Sequence, residues 1–244
     1  MRIVAIIQAR MGSTRFPGKV LADLAGYPIL RHVMERVAHA KLLERIIVAV
    51  PANEAGIWEM AKIVKHVNGD LFRDSNVISE NDLIGRFYRV ADFHQADLIV
   101  RLCADNPCVE PSELDRAVDY YRAHNTFFVS NMHSHSMAPN QYPDGIGCEV
   151  FSMSQLRLMH ETITDPELRE HPHLVFHRMG RVASPLCPIE FARPDIRLDV
   201  NMPEDLARLN RLYAQVGGDP LKAHITQLIE AWDMLHVADR DHHG

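Results

Sequence analysis

Long apolar runs are missing from this 244-residue chain. Its apolar opening, residues 3–7, is far short of the roughly 20 residues a membrane helix needs. It also lacks the flanks of a secretory signal. Cysteine is sparse, and four residues do not make a disulfide scaffold. A basic excess is absent as well. Lys and Arg number 26 against 32 Asp and Glu, for a net charge of −6. That argues against a general nucleic-acid binder, although a local cationic pocket remains compatible with it. These absences predict a cytoplasmic protein with neither membrane nor nucleic-acid partners. What is present is ordinary for a globular chain: 47% hydrophobic and 24% charged residues. A chain of this length buries about 70% of its unfolded surface, so it needs no metal or disulfide to fold. Histidine is abundant. Protonating all 15 would carry the charge from −6 to +9, so the surface field depends on pH between about 5 and 7.

Two periodicities alternate over the first 130 residues. The runs RIVAIIQ (2–8), RIIVAV (45–50), DLIVRL (97–102) and TFFVS (126–130) read as strands. Between them lie helical patterns. Ile29, Val33 and Val37 follow Pro28, and Ile57, Ala61 and Val64 mark a second helix that Gly69 is expected to end. Residues 83–91 suggest a third, and 111–124, with Pro111 first, a fourth. Such alternation predicts an α/β fold with a mostly parallel sheet covered by helices. From about 131 to 195 the pattern breaks into an irregular arm. It contains a loop over 131–145, a strand at 149–151, a helix at 153–162 and a histidine-rich stretch. A strand at 197–200, a helix at 203–215 and a last helix at 221–235 complete the chain. One domain spanning residues 1–244 is the simplest organisation.

The clearest chemical feature is QARMGSTRFPGK, residues 8–19, which leaves the first strand directly. Ligands of open α/β sheets bind outside the carboxyl ends of the strands. Here Arg10 and Arg15 offer forked donors and Lys19 a compact charge, while Gly12 and Ser13 offer backbone or hydroxyl donors. The loop looks built for a polyphosphate, though a solvated loop with three cations has the same composition. It is neither a Walker A loop nor GxGxxG.

The run IIQARMGSTRFPGKVL resembles the opening motif of the cytidylyltransferases that activate acidic sugars. These include the acylneuraminate and 3-deoxy-manno-octulosonate enzymes and the subgroup called spore coat polysaccharide biosynthesis protein SpsF. NDLIGRFYRVA (81–91), VRLCADNPCVEP (100–111), YPDGIGCEVFS (142–152), REHPH (169–173) and RLDVNMPEDL (197–206) are similar in type and order to further family segments. The resemblance implies a three-layer sandwich of the nucleotide-diphospho-sugar transferase type, often dimeric. It also implies transfer of CMP from CTP to a sugar hydroxyl with release of pyrophosphate, assisted by Mg²⁺, for surface polysaccharides.

Carried onto this chain, the resemblance gives Arg10, Lys19 and Asp105 catalytic roles. It makes Asp105 the expected Mg²⁺ ligand. An Asp beside Asn106 and Pro107 is equally a turn former. The family usually has a second carboxylate two residues before the Pro of PEDL, where this chain has Asn201, with Asp199 two residues earlier. That departure leaves open a metal held also by the Asn201 carbonyl or by Asp199, a one-carboxylate site, a changed substrate, or a nucleotide binder without turnover. Asp205 reads as a helix N-terminal charge. Gln8, Ala9, Arg10, Gly12, Ser13, Arg15, Lys19, Asp82, Arg86 and Asn106 are the expected nucleotide contacts. Asp82 and Arg86 equally suit an i,i+4 surface ion pair, and Gln8 and Asn106 are expected to read an exocyclic amine. Arg101, Tyr142, Asp144 and Glu149 are the expected acceptor contacts, with a plain turn as the alternative for Asp144.

The histidines do not spell a metal site. HPHLVFH lacks the Glu of HExxH, and Cys103 and Cys108 have no second pair. A serine hydrolase lacks its GxSxG elbow. The competing functions are a transferase with another nucleotide donor, a glycosyltransferase, and a non-catalytic nucleotide-binding partner in polysaccharide assembly.

Overall fold

The computed structural model describes residues 1–74, 79–124, 126–132 and 140–241. The elements begin with β1 (Ile3–Gln8), a hairpin of β2 (Asp23–Leu24) and β3 (Tyr27–Pro28), α1 (Ile29–Val37) and β4 (Arg45–Val50). Then come α2 (Ile57–His66), β5 (Asp70–Arg73), α3 (Leu83–Phe93), β6 (Leu98–Cys103), α4 (Pro111–His124) and β7 (Val129–Ser130). The chain continues with β8 (Glu149–Ser152), α5 (Met153–Thr162), α6 (Pro166–Glu170), α7 (Pro172–Arg178), α8 (Pro203–Gln215) and α9 (Ile225–Asp241).

One sheet runs β5-β4-β1-β6-β8-β7. Its first four strands are mutually parallel, whereas β8 is antiparallel to both β6 and β7. β1 has a helix layer on each side, which is why it reads as an unbroken apolar run. Ile3, Ala5 and Ile7 pack with Leu30 and Val33 of α1, Met60 of α2 and Leu114 of α4. Val4 and Ile6 face Ile84 and Phe87 of α3, Leu156 of α5 and Phe176 of α7. This is the expected α/β architecture with a mostly parallel sheet. A third cluster joins Tyr142, Ile146 and Leu198 to Leu209 of α8 and Leu228 of α9. Among the described residues no helix is long and apolar enough to cross a membrane.

Several local expectations change. α2 is stopped by Asn68, whose φ of 55° is left-handed. Gly69 follows it in a tight spot, where a Cβ would lie 2.8 Å from the flexible end of Met34 and 3.1 Å from Ile46 O. The predicted strand at 197–200 is no ladder strand. Arg197 makes one isolated bridge to Asp144, and Val200 N–H donates to Asp105 O at 2.9 Å. The strand predicted at 126–130 shrinks to Val129–Ser130. β5 escaped notice because its mixed sequence DLFR carries no apolar run. The histidine-rich stretch forms α6 and α7, each begun by a proline, with Asp165 accepting from Glu167 N–H. The described part of the 131–195 stretch thus supplies β8, three α-helices and a 3-10 turn at Ile189–Phe191. Residues 133–139, with His133 and His135, and His242 and His243 lie outside the described residues.

Candidate active site

β1 and β6 are parallel neighbours with Gln8 opposite Cys103, so the segments that follow them leave the same edge of the sheet. Ala104 N–H donates to Gln8 O at 3.1 Å and extends the pairing by one residue, which brings Asp105 level with the N-terminal loop. Between them lies an open cleft of about 180 Å³. Gln8, Ala9, Arg10, Ser13, Arg15, Lys19, Arg86, Arg101 and Asp105 line it.

The three cations of the loop each meet an acceptor from a distant segment. Gly18, at φ 75°, makes the left-handed turn that starts a short 3-10 turn at Lys19. Lys19 is buried, and its Nζ donates to Asp105 Oδ2 at 2.5 Å and to Val200 O at 2.9 Å. Arg15 Nη2 donates to Asn201 Oδ1 at 2.7 Å. Arg10 Nη1 donates to Asn81 Oδ1 at 2.7 Å, and its Nη2 lies 3.6 Å from Glu170 Oε1. Ser13 lines the cleft, but its N–H is taken by Met11 O and its hydroxyl accepts from Phe16 N–H. Gly12 is exposed and outside the cleft lining.

The acidic side is built by backbone contacts. Asp144 N–H donates to Ile196 O and its O accepts from Leu198 N–H, while Val200 N–H donates to Asp105 O. Residues 196–201 are therefore laid beside both acids. Arg197 Nη2 lies 3.4 Å from Asp199 and 3.7 Å from Asp144. Asn201 Nδ2 donates to Asp199 Oδ2. Burial, then Asp144, raise the Asp199 carboxyl above the usual range; Arg197 opposes this and Asp105 adds to it. Asp205 accepts from Asn201 N–H and Met202 N–H at the start of α8, the helix-end role its position suggests. Cys103 also lines the cleft. Burial, opposed by Arg101, pushes its thiol up to about 12, which removes it as a nucleophile at neutral pH.

Other expected site residues sit differently. Tyr142 is fully buried, and its hydroxyl donates to Glu113 Oε2 at 2.8 Å, so it presents no face to a sugar. Arg101 and Glu149, expected to contact the acceptor, are ion-paired with each other in the interior, and only Arg101 reaches the cleft. Asp82 and Arg86 do not pair. Asp82 caps α3 by accepting from Gly85 N–H at 2.9 Å and takes Arg169 Nε at 2.8 Å. Burial alone would raise its carboxyl, but these bonds hold it below the usual range. Arg86 turns to Glu80 O and Asp74. Asn106 is buried in the turn after β6, outside the cleft lining. The sequence reading missed Glu170 and His171 as cleft residues, although REHPH carries them. It also missed Asn81 as the partner of Arg10.

A family model described as cytidylyltransferase matches residues 4–178. The chain belongs to the cytidylyltransferase family. This cytidylyltransferase-family chain is 39% identical over 119 residues to the 3-deoxy-manno-octulosonate cytidylyltransferase of Trichlorobacter lovleyi. That match covers 49% of this chain and spans only 44% of the relative's length. It is 28% identical over 226 residues to the spore coat polysaccharide biosynthesis protein SpsF of Bacillus subtilis, with 89% of each chain covered. A solved cytidylyltransferase structure from Leptospira borgpetersenii superposes with a TM-score of 0.82 at 27% identity, covering 97% of this chain and 96% of that one.

Proposed function

We propose that this chain transfers CMP from CTP to a hydroxyl of an acidic sugar and releases pyrophosphate, in the service of surface-polysaccharide assembly. The observation that carries the reading is a buried Lys19 held 2.5 Å from Asp105 at the mouth of a cleft in a cytidylyltransferase-family chain. Arg10, Arg15 and Lys19 would exchange their protein acceptors for the triphosphate oxygens. The acceptor oxygen bonds to the α-phosphorus as the bond to the pyrophosphate oxygen breaks, and the hydroxyl proton passes to water or to a phosphate oxygen. Charge grows on the phosphoryl oxygens, so positioning and fixed cations do most of the work.

Asp105 is a quarter exposed on the cleft, with Asp199 and the Asn201 amide oxygen nearby, and these are hard oxygen donors suited to Mg²⁺. Among the described residues no group of three His, Cys, Asp or Glu forms a metal cluster. Mg²⁺ commonly uses one or two carboxylates plus substrate phosphates, so two donors are enough. When bound, the ion neutralises charge on the phosphoryl oxygens.

The reading includes a single domain over residues 1–244 that works as a cytoplasmic homodimer. Leu186 and Ile189, 89% and 90% exposed, offer apolar contacts for a second copy. Asn201, a neutral amide already engaged by Arg15, favours one alternative, a nucleotide binder without turnover. The deciding test incubates the protein with CTP, Mg²⁺ and a panel of acidic sugars and looks for a CMP adduct by mass spectrometry. Adduct formation that vanishes in a folded Asp105→Ala variant is expected. No adduct with any acceptor, or full turnover in the variant, rejects the reading.

A further inference from the structure

The cationic loop is also held from the side away from Asp105. β4 lies on the other side of β1 from β6, with Ala49 opposite Gln8, and Ala9 N–H donates to Ala49 O at 3.1 Å. The connection that follows β4, residues 51–56, therefore runs beside the start of the loop. From it Glu54 Oε1 accepts from Met11 N–H at 2.9 Å. Met11 in turn closes the loop, since its O accepts from Ser13 N–H and from Gly18 N–H, both at 2.9 Å. Its side chain lies against two glycines. A Cβ would come within 3.3 Å of Met11 Cε at Gly18 and within 3.5 Å of Met11 Sδ at Gly56. Arg10 stands just before this tie and Lys19 just after it. Neither Met11 nor Glu54 lines the cleft.

By charge alone Glu54 is badly placed. Its carboxylate is half-buried, and Arg10 and Arg86, both in the cleft lining, lie near enough to act on it, as does the acidic Glu80. A negative group there works against any polyphosphate held by the same cations. What Glu54 supplies is an acceptor for Met11 N–H, which has no other partner among the described residues.

We propose that Glu54 is a positioning residue for nucleotide transfer, which acts through Met11 to fix the loop that presents Arg10 and Lys19 to the triphosphate. This rests on the nucleotide-transfer reading given above. A loop already held in its binding shape loses less freedom when the anion arrives, and that gain exceeds the repulsion from one carboxylate. A residue that only stabilised the fold would move the melting temperature and leave the affinity of the folded protein alone.

The test measures CTP binding to the whole chain by calorimetry, with no acceptor present, for the wild type, Glu54→Gln and Glu54→Ala. Both variants remove the same charge, so they differ in the acceptor offered to Met11 N–H. Glu54→Gln keeps a carbonyl there and should bind CTP at least as tightly as the wild type. Glu54→Ala should bind roughly tenfold more weakly than Glu54→Gln, the worth of one hydrogen bond. Equal affinity in the two variants, with folding verified by circular dichroism, overturns the proposal and leaves the CTP reading standing. If Glu54→Ala does not fold, Glu54→Asp takes its place: it keeps the charge but draws the acceptor back by one methylene. Weaker binding than the wild type is then expected, and unchanged binding overturns the proposal. A wild type that binds no CTP overturns both readings.

Discussion

Lys19 and Asp105 give the most quantitative test of how the site is held. Their side chains are 9% and 26% exposed, and the N–O distance is 2.5 Å. A hydrogen bond between charged groups contributes about 1.5–3 kcal/mol. Removing one partner of a fully buried pair costs about 3–5 kcal/mol. Asp105 keeps some contact with water, which repays part of its loss, so the pair should couple by about 2 kcal/mol. Lys19→Met also abandons Val200 O, whose bond to Lys19 Nζ measures 2.9 Å. For a chain of this size, about 2 kcal/mol shifts the melting temperature by about 4–8 °C. The assay is a double-mutant cycle with Lys19→Met, Asp105→Asn and the double variant, read by urea denaturation. If the single costs add to within about 0.5 kcal/mol, the two residues do not support each other and the argument fails.

Two further outcomes follow from buried groups away from the cleft. His32 lies against the rings of Tyr27 and Tyr213, with Nε2 2.8 Å from Leu24 O, and burial lowers its pKa from 6.5 to about 4. The fold thus holds it neutral. Its contribution is complete above pH 6.5 and is lost as pH falls toward 4, because the unfolded chain takes up a proton the fold refuses; the loss is about 3 kcal/mol. Denaturation curves collected from pH 7.5 to 4 should show a shallower decline for His32→Gln, and an identical slope would contradict the assignment. Tyr142→Phe strips a hydrogen bond from the buried Glu113 carboxylate and should cost about 1–2 kcal/mol of stability while acceptor KM stays unchanged. A raised KM at full stability would return Tyr142 to the cleft.

The elements that could be read in advance were those whose signal is local. α4 (Pro111–His124) and α8 (Pro203–Gln215) begin and end where their prolines and apolar stripes predict. The buried strands β1, β4 and β6 announce themselves as β-branched runs. β5 does not, since DLFR on a sheet edge needs no apolar run, and the segment at 197–200 imitates a strand while making only isolated backbone contacts. For the site, the strand-end rule together with the cationic loop located Arg10, Arg15, Lys19 and Asp105 in one cleft. Tyr142 and Glu149 carry polar tips that look available in the sequence, but both are buried once their neighbours are in place.

Residue order and composition alone thus determined the layers, the loop and the family resemblance, because apolar periodicity and turn chemistry act over a few residues. Which charge meets which acceptor was decided only in three dimensions. Lys19 and Asp105 are 86 positions apart, and Arg15 and Asn201 are 186 apart. No local pattern encodes such pairs; they arise because parallel strands deliver distant loops to one edge, where burial makes an unmatched charge too costly to keep.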